Sequence, residues 1–65
     1  MKRSNFVKHL RKNDCYLHRE GKNHSIFVSE GSQKVSAVPR HNELKNFTVR
    51  DICKQLGISF PKSFQ

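Results

Sequence analysis

Two turn-type segments in the middle of the chain constrain the fold more than any other feature. Residues 21–23 (Gly-Lys-Asn) and 30–33 (Glu-Gly-Ser-Gln) separate three short runs of strand-forming residues, 15–20, 24–29 and 34–38. Connections this short join antiparallel neighbours, because parallel strands need a long crossover. Pro39 is expected to end the third run, since it has no backbone N–H to donate. The pattern therefore predicts a three-stranded antiparallel meander.

An amphipathic segment lies on each side of these strands. The first is predicted to be a helix with Ser4 as N-cap, running to about Asn13, with an apolar stripe of Phe6, Val7 and Leu10. The second is predicted to be a helix with Thr48 as N-cap and Gly57 just past its end, with an apolar stripe of Val49, Ile52, Cys53 and Leu56. The order α-β-β-β-α predicts an α+β fold in which two helices cover one face of the sheet.

The second strand decides which face of the sheet meets the helices. His24 and Phe27 have opposite phase in that strand, because successive side chains alternate between the two faces. We expect Phe27 to pack against the helices and His24 to lie on the open face. The opposite assignment would place Ile26 in the core and His24 at its edge. The tail residues Ile58, Phe60 and Phe64 are expected to fold back on the core.

Size and charge narrow the class of function. A chain of 65 residues is expected to form one domain over residues 1–65. A domain of this size buries only about 60% of its unfolded surface, so a shallow surface site is more plausible than an enclosed one. Thirteen Lys and Arg against five Asp and Glu give a formal charge of +8, spread from Lys2 to Lys62. Such a surface attracts polyanions, with nucleic acid as the first candidate and an acidic protein as the second.

Other classes of protein are disfavoured by what the sequence lacks. No apolar run follows Met1-Lys2-Arg3, and no stretch is long enough to span a membrane. Two cysteines, Cys15 and Cys53, do not make a disulfide framework. We therefore expect a cytoplasmic protein with reduced thiols. No metal or cofactor is expected, because the cysteines and histidines lack paired-ligand spacing and three scattered glycines form no phosphate-binding loop.

His24 is the candidate reactive residue, because it opens the second strand directly after the first turn and is flanked by Arg19 and Lys22. Histidine side chains exchange protons near neutral pH, and RNA carries its own nucleophile in the 2′-hydroxyl. A histidine that takes this proton, beside cations that bind the phosphate, could cleave RNA without a metal. The alternative is an ordinary histidine at a strand end, with a solvated ring.

Several short pieces of the chain occur together in one known family. They are the helix 6–10 leading to residues 15–17 (Cys-Tyr-Leu), Arg19 with residues 21–24 (Gly-Lys-Asn-His), the strand residues 26–27, residues 38–41 (Val-Pro-Arg-His), and residues 48–58. In this order, from Lys2 to Ser59, they resemble the HicA family of toxins from type II toxin–antitoxin systems. One departure lies in the turn, where the commonest family residues are Gly-Ser-His. Here Lys22 and Asn23 precede His24, and the glycine is at position 21.

The resemblance implies a fold, an activity and two partners. The fold is similar to that of a double-stranded-RNA-binding domain, and the activity is that of an endoribonuclease that cleaves mRNA and inhibits translation. The implied partners are RNA and a HicB-type antitoxin protein. His24 corresponds to the family's active-site histidine and would be the general acid or base. In this hypothesis Lys22 and Arg19 hold the phosphate, Arg40 and Lys34 extend the basic path, and His41 is the candidate for a second proton-transfer group.

Two alternatives stay open. One is a non-catalytic RNA-binding module of the same fold, which would bind through 2′-hydroxyl and phosphate contacts. Such modules carry a lysine-rich run at the start of the last helix, whereas residues 46–50 contain one basic residue, Arg50. The other alternative is a small protein whose only role is to bind an acidic protein partner.

Overall fold

The structure, a computed structural model, describes residues 1–62 and contains two helices and three strands in these residues. In chain order the elements are α1 (Arg3–Lys12), β1 (Cys15–Glu20), β2 (His24–Ser29), β3 (Val35–Pro39) and α2 (Asn46–Leu56). The predicted α-β-β-β-α order and the α+β class are confirmed. The bounds of β1 and β2 are also as predicted, because turn residues delimit both strands.

The three strands form one antiparallel sheet in the order β1-β2-β3. At one end His24 is opposite Pro39, and toward the other end Val28 is opposite Val35. The predicted bounds of β3 were wrong by one residue, since the strand begins at Val35 and includes Pro39. Proline is tolerated there because it is the last residue of an edge strand, where a missing N–H leaves no central ladder bond unmade.

A β-bulge in β1 changes which residues share a face. Leu17 is opposite Phe27 and Arg19 is opposite Ile26, so His18 is the extra residue between them. Strict alternation would have put Arg19 on the same face as Leu17. The bulge instead turns Arg19 to the face that carries Ile26, as bulges do when they re-aim a side chain.

Both helices pack against one face of the sheet, which we call the covered face. A single apolar cluster joins them to it: Phe6, Leu10, Cys15, Phe27, Val38, Leu44, Val49, Ile52, Cys53 and Leu56. Phe27 is in this cluster and His24 is exposed, so the predicted assignment of the two faces is correct. Ile58 and Phe60 pack against the cluster as expected, and Phe64 lies outside the described residues.

The two cysteines lie in this core and are not bonded to each other. Burial raises the pKa of the Cys53 thiol to about 11, and burial also raises the pKa of Cys15. Both side chains therefore stay protonated at neutral pH and act as small apolar groups.

The predicted N-caps of both helices were wrong. The N-cap of α1 is Lys2 rather than Ser4, and that of α2 is Lys45 rather than Thr48, and neither makes a side-chain capping bond. The reason is tertiary, because the segments that precede the two helices pair with each other. The Arg3 N–H, an orphan donor in the first turn, donates to the Asn42 carbonyl at 2.8 Å.

The same pairing continues around Met1. The Leu44 N–H donates to the Met1 carbonyl at 2.8 Å, and the Met1 ammonium donates to the Leu44 carbonyl at 3.0 Å. The Met1 ammonium also lies 3.1 Å from a Glu43 carboxylate oxygen. These contacts bring the start of α1 beside the connector that follows β3.

The end of α2 is as predicted. Gly57 has a left-handed backbone (φ 71°), and the Ile58 N–H donates to the Cys53 carbonyl at 3.0 Å. This is the glycine-terminated geometry that satisfies the last carbonyls of a helix.

Candidate active site

His24 and His41 line the same shallow depression at one end of the sheet. The depression has a volume of about 430 Å³, and its other lining residues are Asn23 and Arg40. His24 is the first residue of β2 and is opposite Pro39, the last residue of β3, so the segment after β3 begins beside it. This register brings together two histidines that are 17 positions apart in the sequence.

The turn before His24 approaches that residue closely at Gly21. The Gly21 N–H donates to the His24 carbonyl at 2.7 Å, and a Cβ at position 21 would lie 3.0 Å from the same oxygen. None of residues 21–23 has a positive φ. Lys22 and Asn23 therefore adopt the turn without a left-handed backbone, and position 21 is the one where a side chain would be crowded.

The Arg40 side chain, which follows β3, forms hydrogen bonds to the backbone of this turn. Its guanidinium donates to the Lys22 carbonyl at 2.8 Å, to a Glu20 carboxylate oxygen at 2.9 Å and to the Gly21 carbonyl. A weaker bond reaches the His24 carbonyl at 3.3 Å. Since these bonds occupy most of its donors, Arg40 holds the turn in place. Its phosphate-binding role stays a prediction.

A buried serine extends the Arg40–Glu20 contact into the fold. The Ser25 hydroxyl donates to Glu20 at 2.7 Å and accepts from the Arg3 guanidinium at 2.9 Å. Arg3 also donates to the Pro39 carbonyl at 2.9 Å. The Ser25 hydroxyl, and after it Arg40, hold the pKa of the Glu20 carboxyl below its usual value. One hydrogen-bonded chain thus joins α1, all three strands and the segment after β3.

Sequence reasoning did not identify Arg3, Glu20 or Ser25 as part of the site. One signal was available, because Glu20 is one of only five acids in the chain and lies between the predicted phosphate ligands Arg19 and Lys22. Such an acid is expected to have a structural partner, since it would otherwise repel the anion that the surrounding cations attract.

The other predicted basic residues divide into two groups. Arg19 and Lys22 are exposed near the end of the sheet that carries His24, Arg19 on β1 and Lys22 in the turn. Lys34 lies past the opposite end of β3, and its ammonium is beside Gly57 at the end of α2. That position suits a cation because of the helix dipole. Lys34 is about 17 Å along the strand from Pro39, so the structure does not bring it to the depression.

Two further features concern residues 1–62. No group of three or more histidine, cysteine and acidic side chains in this range could hold a metal ion. No helix in the same range is long and apolar enough to cross a membrane.

Comparison with known proteins gave one match. The family model described as HicA toxin of bacterial toxin–antitoxin matches residues 3–58, which include both helices and the whole sheet. Neither the comparison with curated proteins nor that with solved structures found a match.

Proposed function

The chain belongs to the HicA toxin family of bacterial toxin–antitoxin systems, and on that premise we propose that it is a metal-independent endoribonuclease that cleaves mRNA. Its family role is that of the toxin, and its family implies an antitoxin partner. The observation that carries the proposed activity is the shared depression of His24 and His41. Two histidines that face one phosphodiester can act as the acid and the base of the same reaction.

The reaction uses the nucleophile that RNA itself provides. One imidazole takes the proton of a 2′-hydroxyl while the 2′-oxygen bonds to the adjacent phosphorus. The bond from phosphorus to the 5′-oxygen breaks, and the other histidine, as imidazolium, gives its proton to that leaving oxygen. The products are a 2′,3′-cyclic phosphate and a 5′-hydroxyl. His24 is proposed as one of the two proton-transfer groups and His41 as the other.

The cations beside the depression have separate roles in this proposal. Arg19 and Lys22 are exposed at the same end of the sheet and would bind the phosphate and stabilise its developing charge. Arg40 would keep the turn in one position, because its donors are already bonded to turn carbonyls and to Glu20. Lys34 would contact RNA only at a distance from the cleaved bond.

The antitoxin partner is proposed to be of the HicB type. The formal charge of +8 would attract an acidic partner surface as well as RNA. A partner that covers the depression or the surrounding cations would prevent cleavage.

The test compares the wild type with His24→Ala and with His18→Ala, an exposed histidine outside the depression. Each protein is induced in a bacterial host while growth and mRNA integrity are followed. The purified proteins are then incubated with RNA, and the product ends are identified. Growth arrest, mRNA loss and cyclic-phosphate ends are expected for the wild type and His18→Ala. His24→Ala should lose about 10²–10⁴-fold in cleavage rate, the usual contribution of a general acid or base.

Two results would contradict the proposal. Folded His24→Ala protein that still cleaves RNA would remove the histidine mechanism. Wild-type protein that binds RNA and leaves it intact would support the non-catalytic RNA-binding module instead. Circular dichroism of each purified variant separates loss of activity from loss of fold.

A further inference from the structure

The open face of the sheet, opposite the covered face, carries an exposed aromatic ring beside an apolar strip. Tyr16 is opposite Val28, and Val28 is opposite Val35, so the three residues lie side by side across the strands. Tyr16 is 45% exposed and Val35 is 55% exposed, while Val28 between them is only 7% exposed. Tyr16 is therefore exposed to solvent beside a well-packed apolar residue, Val28.

The same face leads from this strip to the candidate active site. Val28, Ile26 and His24 alternate onto one side of β2, and Arg19 is opposite Ile26 because of the bulge. Tyr16 and His24 are thus separated along the face by about 14 Å, which is four residues of extended strand. The strand residues on this face include no carboxylate: Tyr16, Arg19, His24, Ile26, Val28, Val35, Ala37 and Pro39.

We propose that the open face is a platform for single-stranded RNA, on which Tyr16 stacks an unpaired base a few nucleotides from the phosphate at His24. This inference rests on the proposed function and adds the class of substrate. Bases within a duplex are already stacked on their neighbours, so only an unpaired base can lie flat on an exposed ring. Arg19, between Tyr16 and His24, supplies the positive charge for the connecting backbone.

RNA fits this face better than a protein does. Tyr16 and Val35, the two large apolar side chains exposed on this face, are followed by Arg19 and His24, and the strand residues of the face carry no carboxylate that would repel a phosphate backbone. The chain also has an excess of eight positive charges, which suits a polyanion. Aromatic rings beside a basic path are the usual means of binding single strands.

The chain offers an internal probe for this contact. Tyr16 is the only tyrosine and there is no tryptophan, so intrinsic tyrosine fluorescence reports on position 16 alone. The probe RNA is a short fluorescein-labelled single strand, used alone and annealed to its complement. All proteins carry His24→Ala so that binding is measured without cleavage. The variants are Tyr16→Ala, Tyr16→Phe and, as a matched control, Phe47→Ala, which removes a ring that is 61% exposed on α2.

Three results are expected. Single-stranded RNA quenches the tyrosine fluorescence over the range in which the fluorescein anisotropy rises. Tyr16→Ala weakens single-strand binding by about fivefold or more, the scale found for one stacked base, while Tyr16→Phe and Phe47→Ala stay close to the parent protein. Duplex binding is unaffected by Tyr16→Ala.

Two other outcomes overturn the inference, and a third retains it while the proposed function fails. Binding without quenching, or equal binding by Tyr16→Ala, removes the stacking contact even if His24 is required for cleavage. If Tyr16→Ala instead abolishes rescue by a co-expressed antitoxin and leaves RNA binding unchanged, the face belongs to a protein partner. A loss of single-strand binding by Tyr16→Ala, together with no RNA cleavage by the wild type, would retain the platform and remove the nuclease.

Discussion

The two ends of the sheet are built in different ways. At the histidine end, which comprises His24, Pro39 and the turn 21–23, hydrogen bonds join side chains from distant parts of the chain. Arg40 reaches Glu20 and Arg3 reaches Ser25, over separations of 20 and 22 residues. At the distal end, which comprises Ser29, Val35 and the turn 30–34, the contacts are mostly local.

The distal end is held chiefly by its own turn. The Gln33 N–H donates to the Ser29 carbonyl at 2.7 Å, and the Gln33 side chain donates to the Glu30 carbonyl at 2.7 Å. A longer-range contact, from the Ser32 hydroxyl to the Leu56 carbonyl at 3.3 Å, joins this turn to the end of α2. No charged side chain is needed for these bonds.

The difference shows how a small domain can fix one exposed turn more firmly than another. Hydrogen bonds to charged groups are shorter and stronger than those between neutral groups. At the histidine end such bonds are concentrated around the turn that precedes His24. They hold the backbone at His24 in place although its side chain is exposed. No proton transfer is proposed at the distal end, and most of its hydrogen bonds lie within its own turn.

The largest expected difference is in cleavage rate, between Arg40→Ala and Lys34→Ala. The first variant removes a cation at the histidine end, and the second removes one at the distal end. Loss of Arg40 removes the guanidinium bonds to the Lys22 and Gly21 carbonyls and leaves Glu20 with the Ser25 hydroxyl as its donor. The turn is then free to shift, and displacement of a reacting group by about 1 Å can cost about 100-fold in rate. We expect that loss for Arg40→Ala and little change for Lys34→Ala. The measurement is kcat/KM on a single-stranded RNA substrate.

Arg40→Lys separates the two possible roles of Arg40. Lysine keeps the charge for a phosphate but lacks the planar fork that bonds several acceptors at once. If Arg40→Lys is as slow as Arg40→Ala, the residue positions the turn. Near wild-type cleavage by Arg40→Lys would show instead that only its charge matters.

A smaller effect is expected from replacing Gly21, at the histidine end, and Gly57, which ends α2 beside the distal turn. Gly57→Ala must keep a left-handed backbone, which costs about 1 kcal/mol and lowers Tm by about 4–8 °C in a domain of this size. Its cleavage rate should not change. Gly21→Ala should slow cleavage by about tenfold, because the new Cβ lies 3.0 Å from the His24 carbonyl and must displace the turn. Thermal melts and rates on both variants test the contrast, and a Gly21→Ala protein with full activity would contradict it.

The smallest expected effect is on stability in acid. The pKa of Glu20 is lowered in the folded protein, first by the Ser25 hydroxyl and then by Arg40, so the unfolded chain takes up that proton first as the pH falls. The stabilisation from Glu20 is therefore complete above the unfolded value of about 4.3 and is lost as the pH falls through the folded pKa. Urea midpoints between about pH 3 and 6 should depend less on pH in Glu20→Gln than in the wild type.

Glu30→Gln, at the distal end, is the matched control for that measurement. It leaves the contacts of Glu20 intact, so its urea midpoint should fall with decreasing pH as much as that of the wild type. Equal flattening in both variants would mean that the effect comes from net charge rather than from the hydrogen-bonded chain around Ser25.

Much of the fold could be predicted from the sequence because its signals are local. The turn residues delimited β1 and β2 correctly, and the apolar stripes of both helices lie in the core, except that Val7 is partly buried against it. Gly57 ends α2 as its backbone freedom predicts. The helix starts were wrong because pairing between the segments around Met1 and Leu44 replaced the capping that Ser4 and Thr48 could have provided.

The candidate site was predictable in part. The position of His24 at a strand start after a turn, on the open face, followed from the alternation of β2. Its neighbourhood did not, because the place of Arg19 depends on the bulge at His18 and that of His41 depends on which residue is opposite Pro39. The catalytic and phosphate-binding roles of these residues stay predictions.

The sequence by itself determined the order of helices and strands, the excess of positive charge and the strand end that carries His24. These properties depend on residue type and on spacing over a few positions. Only the tertiary structure decided that Arg40 bonds to the turn, that Arg3 reaches Ser25, and that His24 and His41 line one depression. Such contacts join residues far apart in the chain, and strand register, which side-chain packing and the bulge set together, determines which of them meet.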